Sequence, residues 1–90
     1  MRTWDKDPQA VLDWAFDWSN WLATSEQISG TPTITVESGL TKDSQSNTTN
    51  KVTVWLSGGT LGEVYRVSCR ITTNQGRTDE RTIGIRVTDR

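Results

Sequence analysis

Histidine is missing from this 90-residue chain, and cysteine occurs once, at Cys69. The first absence removes the commonest general base, the commonest zinc ligand and any Ser-His or Cys-His nucleophilic pair. The second excludes an intrachain disulfide and a cysteine-rich metal site. No basic region followed by an apolar run opens the chain, and nothing approaches the roughly 18–20 apolar residues of a membrane span. The expectation is a soluble protein made in a reducing compartment, with no cofactor, no metal and no membrane contact. Aromatic residues are few: Phe16, Tyr65 and five tryptophans. Each contributes roughly 1.5–3 kcal/mol when fully buried, so a chain this short needs most of them inside.

An excess of charge of either sign is also missing. The formal net charge of −1 argues against a nucleic-acid binder that relies on a bulk positive field. Residues 1–45 carry three basic and seven acidic groups, a net of −4; residues 46–90 carry seven basic and four acidic, a net of +3. This asymmetry reads either as two solvated faces of opposite sign or as copies stacked head to tail, acidic part against basic part.

What the chain does have is alternation. "KVTVWLS" puts Val52, Val54 and Leu56 on one face, with Thr53 and Trp55 on the other. "EVYRVSCRITT" sets Tyr65, Val67, Cys69 and Ile71 against Arg66, Ser68, Arg70 and Thr72. "ERTIGIRVTD" does the same with Ile83, Ile85 and Val87. These are strands by period and by composition. "SGGTLGE" connects the first two, and "NQG", Asn74 to Gly76, is a tight hairpin turn. "TPTITVES" is a weaker strand with Pro32 at its start, suited to an edge. The polar run "TKDSQSNTTN", residues 41–50, reads as a mobile surface loop with one short strand at Leu40 to Lys42.

The stretch "WDKDPQAVLDWAFDWSNWL", Trp4 to Leu22, fits two templates. As a helix, Asp7 caps, Pro8 takes the first position, and Val11, Trp14, Ala15, Trp18 and Leu22 share a face. As a strand, Leu12, Trp14, Phe16 and Trp18 line one face while Asp13 and Asp17 meet water. The helix strands Phe16 on a polar side, so we take a strand at residues 10–18 and a tight turn at Ser19 to Leu22. Residues 1–9 then form an N-terminal arm, and residues 10–90 one domain. Six or seven short strands indicate an antiparallel two-sheet sandwich, all-β and Ig-like or fibronectin III-like. "GEVY" entering a strand is similar to the tyrosine corner of such domains, without their inter-sheet disulfide.

No catalytic constellation emerges. Cys69 falls on an inward face and acts as a small hydrophobe. Asp5, Asp7, Asp13 and Asp17 lack the spacing of a calcium loop, and Asp13 and Asp17 stand roughly 13 Å apart on a strand. "TDER", residues 78–81, reads as a surface ion-pair network. The glycines of "SGGTLGE" lack the lysine and helix of a phosphate loop. Among the tryptophans, Trp14 and Trp18 are in phase with the core and Trp21 is a plug between the sheets. Trp4, in the arm, and Trp55, out of phase, are the interface candidates.

"WDKDP", "VLDWAFDWSNWL", "TVWLSGG" and "GEVYRVSCRITTNQGRTDERTIGIRV" together resemble a family of small virion proteins of tailed bacteriophages, fiber-tail adaptors carried at the neck or tail. The resemblance implies a non-enzymatic, ring-forming Ig-like building block and carries over no catalytic residue. It implies partners among the portal, tail and fibre proteins and copies of the same chain, and a place in the virion after synthesis in the host cytoplasm. Asp5, Lys6 and Asp7 of "WDKDP", with Arg77 and Arg81 of "GRTDER", join Trp4 and Trp55 as interface candidates. The arm is then expected to order on docking to a neighbour. A capsid decoration protein and a carbohydrate-binding sandwich are the alternative readings.

Overall fold

Alternating sequences pair into sheets, and here they pair twice. The computed structural model describes residues 2–89. It contains β1 (Arg2–Lys6), β2 (Leu12–Asp17), β3 (Ile28–Val36), β4 (Leu40–Asn47), β5 (Lys51–Gly58), β6 (Val64–Thr73) and β7 (Thr78–Val87). One sheet has the order β1-β7-β6-β3 and the other β2-β5-β4. All neighbours are antiparallel except β1, which runs parallel to β7. The protein is an all-β sandwich of two sheets.

The inner faces are the ones the alternation selects. Val52, Val54 and Leu56 of β5 pack with Tyr65, Val67, Cys69 and Ile71 of β6 and with Ile85 and Val87 of β7. Phe16, Trp18, Ile28 and Leu40 complete the buried cluster. Trp55 stays outside, as its phase requires. Asn74 to Gly76 forms the β6–β7 hairpin loop: Thr73 N–H donates to Arg77 O at 2.8 Å, and Gly76 takes φ +81°. That is the three-residue hairpin with a left-handed last residue.

The tyrosine corner is present. Thr60 N–H donates to the Tyr65 hydroxyl at 2.9 Å. The ring occupies space that only glycine leaves open. A Cβ at Gly39, where φ is +107°, would lie 2.8 Å from Tyr65 Cε1. A Cβ at Gly59, φ +96°, would lie 2.6 Å from Val87 Cγ2.

Three expectations need correction. Arg2–Lys6, expected in an arm that orders on docking, is already a strand bonded to β7 in the same chain; Met1 of that arm lies outside the described residues. Its polar sequence carries no apolar alternation, and its pairing partner lies about eighty positions away. Residues 41–47, expected mostly as loop, belong to β4, an edge strand whose inward positions are largely polar. Backbone bonding to β5, not burial, holds it. Finally, β3 begins earlier than expected, so Pro32 sits mid-strand, at the register shift between Ser29 and Thr33. An edge bulge is where a strand tolerates proline.

The topology also rearranges the charge asymmetry. Strands β1 to β4, from the acidic half, are the four sheet edges, and β5 to β7, from the basic half, are central. The asymmetry along the chain is an edge-to-centre one in space.

Candidate partner interface

Register decides which way each candidate points. Trp4 pairs with Ile85 and Lys6 with Val87, so both share the inward phase of β7. Asp5 pairs with Arg86 on the outer face, and its carboxylate accepts Arg86 Nε–H at 3.0 Å. On the opposing sheet, Leu12, Trp14 and Phe16 pair with Leu56, Val54 and Val52, which are wholly buried. Burial along β2 is nevertheless graded. Trp18, just after the strand, is fully buried and Phe16 nearly so; Trp14 is half-buried, and Leu12 is 37 % exposed. Trp4, facing them from the other sheet, is 38 % exposed.

These side chains line one groove. Trp4 and Asp5 form one wall, Leu12, Asp13, Trp14 and Ala15 the other, around a cavity of about 410 Å³. Its lining residues come from β1 and β2, each the edge strand of its sheet. The Arg2 guanidinium lies over the Trp4 ring at 4.3 Å, a contact that holds an exposed indole in place. Trp55 is 41 % exposed on the outer face of β5, in register between Asp13 of β2 and Ser44 of β4. Asp13 thus belongs to both the groove and the surroundings of Trp55. Sequence periodicity sets Leu12 and Trp14 in the core; their phase is right, but among the described residues β2 has no second sheet neighbour, so Trp14 is only half-buried and Leu12 stays exposed.

The remaining candidates tie the domain together. Lys6 is wholly buried, and its ammonium donates to Asp7 O at 2.9 Å and Gly58 O at 2.8 Å. It bridges the sheets, since Gly58 ends β5. Burial lowers its pKa, opposed by the nearby charges of Asp7 and Asp43. Asp7 accepts Gln9 N–H at 2.8 Å through its side chain and Ala10 N–H at 3.0 Å through its carbonyl. With Pro8 second, this is a β-turn between β1 and β2, not a helix start.

Arg77 lies on Glu26. Its Nε donates to Glu26 Oε2 at 2.9 Å, its Nη2 to Oε1, and its guanidinium stacks 4.0 Å over the half-buried Trp21. Thr73 Oγ1–H donates to the same carboxylate at 2.6 Å and Ala23 N–H at 2.9 Å. The Arg77 bonds, followed by these two, bring the Glu26 pKa down to about 2. Trp21, expected as a plug between the sheets, packs partly buried against the core cluster under Arg77.

Arg81 serves the other sheet junction. It donates to Asp17 O at 2.6 Å and lies 4.7 Å over Trp18, whose indole N–H donates to Asp79 Oδ2 at 2.9 Å. Arg81 and Asp79 are 3.7 Å apart. Sequence reading treated Asp79 and Arg81 as a surface pair and missed their hold on Trp18. Nothing local signals it, because β2 and β7 belong to different sheets. Cys69 is buried among apolar side chains, which pushes its thiol pKa up to about 12.

Among the described residues, no group of three or more cysteines and carboxylates is placed to hold a metal ion. No helix is long and apolar enough to cross a membrane. The distinctive surfaces are an apolar groove and an exposed tryptophan, both suited to protein contact. No curated protein matches the chain. Residues 6–86 match the model of a family described as "Podophage GP4 fiber-tail adaptor protein gp77", a span running from the end of β1 to β7. The chain belongs to this family of podophage fiber-tail adaptor proteins.

Proposed function

We propose that the protein is a non-enzymatic joint of the virion, placed at the neck or tail as one copy in a symmetric ring and made in the host cytoplasm before assembly. The family match over residues 6–86 carries this reading. The surface supports it: Trp4, Leu12 and Trp55 expose large apolar area on rigid strands. Strand-borne tryptophans bind partners at low entropic cost. The direct partners are portal, tail or fibre proteins and further copies of this chain. Trp4, Asp5, Asp7 and Trp55 are the contacts offered outward, whereas Lys6, Arg77 and Arg81 fix the shape of the surface.

Electron microscopy of purified particles carrying a gold-labelled antibody tests the placement. Label at the neck or tail, in cyclic arrangement after averaging, is the expected result. Label scattered over the capsid would replace this reading with a decoration protein, and unlabelled particles would end it.

A further inference from the structure

The groove between β1 and β2 has the form of a sandwich short of one strand. In an Ig-type sandwich the first strand commonly lies beside the second, giving a four-stranded and a three-stranded sheet. Here β1 has crossed to β7, and β2, the second strand, has β5 as its single sheet neighbour among the described residues. The position beside β2 that a first strand would take is open. Three apolar side chains in the inward phase, Trp4, Leu12 and Trp14, face that opening and stay partly wet.

The two flanks are not treated alike. On the far flank, β3 carries Pro32 and a register shift, and β4 carries Lys42 and a second shift between Lys42 and Ser44. These are the devices that stop strands from adding to an edge. On the near flank, β2 pairs with β5 through six consecutive residues with no shift and no proline. One edge is blunted; on the other, Arg81 already takes the Asp17 carbonyl, and the stretch from Leu12 to Phe16 is left able to accept a strand.

Charge says what kind of strand fits. Asp13 and Asp17 stand on the outer side of β2, and Asp5 stands on the groove wall, shared with Arg86. A strand beside β2 places its outward side chains about 5 Å from Asp13 and Asp17. Its inward side chains would meet Leu12, Trp14 and Trp4. The far flank of another copy is a poor occupant, because Glu37 and Asp43 lie there beside the blunted edges.

We propose that the open edge of β2 receives an extended segment of a partner protein, in which apolar residues alternate with lysine or arginine, as an added antiparallel strand that closes the core over Leu12 and Trp14. This is strand addition with side-chain pockets for specificity. It rests on the adaptor reading and assigns that reading a docking site.

The full chain is titrated at low salt with a blocked nine-residue peptide of alternating valine and lysine. An alternating valine–glutamate peptide and a non-alternating peptide of the first composition serve as comparisons. Binding is followed by tryptophan fluorescence and by amide hydrogen exchange. The valine–lysine peptide is expected to bind at least about tenfold more tightly than either comparison. It should slow exchange of the outward amides of β2 and leave the outward amides of β4 unchanged. Asp13→Lys, at an exposed site, should weaken binding about tenfold, and Leu12→Glu should remove it, both with near-UV circular dichroism unchanged.

Equal binding of the non-alternating peptide, or protection elsewhere, would overturn the proposal. So would protection of β2 in the protein alone that rises with its own concentration, which would make the occupant a second copy. Absence of the chain from purified particles would overturn the adaptor reading whatever the peptides do. A chain present on particles whose β2 edge ignores every peptide would overturn the strand assignment alone.

Discussion

Single atoms set the two tightest local arrangements. Tyr65 is held by one hydrogen bond and by Gly39, which makes room for its ring. Tyr65→Phe leaves the Thr60 N–H without that acceptor and should cost about 1 kcal/mol in urea unfolding. Gly39→Ala should cost about 2 kcal/mol, because the added carbon meets the ring at 2.8 Å while φ stays at +107°. An order of loss with Tyr65→Phe above Gly39→Ala would contradict this picture of the corner. Glu26 gives a pH signature. Arg77 first, then Thr73 and the Ala23 amide, draw its folded pKa from the ordinary 4.5 to about 2. A depressed carboxylate contributes stability that is fully present above the unfolded value and fades as pH falls through the folded one. The urea midpoint should therefore drop between pH 4.5 and about 2, and Glu26→Gln should be less stable at pH 7 with a flatter profile in that window.

Among the elements, β1 has the most to say, since it looks dispensable and is not. Its last residue, Lys6, spans the two sheets through Asp7 O and Gly58 O, with its stem wholly buried. Lysine acylation of the native protein at pH 8, read by mass spectrometry, should modify the exposed Lys42 and Lys51 readily and spare Lys6. Modification of Lys6 at a comparable rate would show β1 detached. Removal of residues 1–8 should consequently destabilise the whole sandwich, whereas Trp4→Ala, at a half-open site, should leave it folded. β5, β6 and β7 were legible in the sequence because their inward positions are unbroken apolar alternations. β1 and β4 were not, because an edge strand needs one bonded neighbour and no apolar face. The groove was half legible: alternation places Leu12 and Trp14 on the inner side, but only topology shows that β2 has no second sheet neighbour among the described residues to complete their burial. The Arg77–Glu26 and Asp79–Trp18 contacts join residues fifty to sixty positions apart, beyond any local pattern.

At the scale of the molecule, the arrangement of charge limits how copies can meet. The four edge strands come from the acidic half of the chain, so flank-to-flank contact brings Asp5, Asp13 and Asp17 towards Glu37 and Asp43. Like charges placed opposite each other oppose such a joint. The exposed arginines Arg66 and Arg70 lie on β6, on the outer face of the larger sheet, Arg70 beside Glu80, while Arg86 of β7 on that face is paired with Asp5. In the ring proposed above, the far acidic flank of one copy, with Glu37 and Asp43, would meet the arginine-bearing face of the next and leave the β2 edge to its partner segment. Such a joint uses two different patches, which is the condition for a closed cycle or an open filament. Screening across about 8–10 Å at ordinary ionic strength weakens it. Light scattering after size exclusion should show one discrete oligomer at 50 mM salt that dissociates towards the 10.1 kDa monomer at about 500 mM. The double substitution Arg66→Glu with Arg70→Glu should leave the sandwich folded and abolish the oligomer. Because the two patches differ, that variant keeps its acidic flank, and mixed with wild type it should end growing assemblies and yield short oligomers. Unchanged assembly of the double variant would place the joint on another surface, with the exposed Trp55 face the next to test.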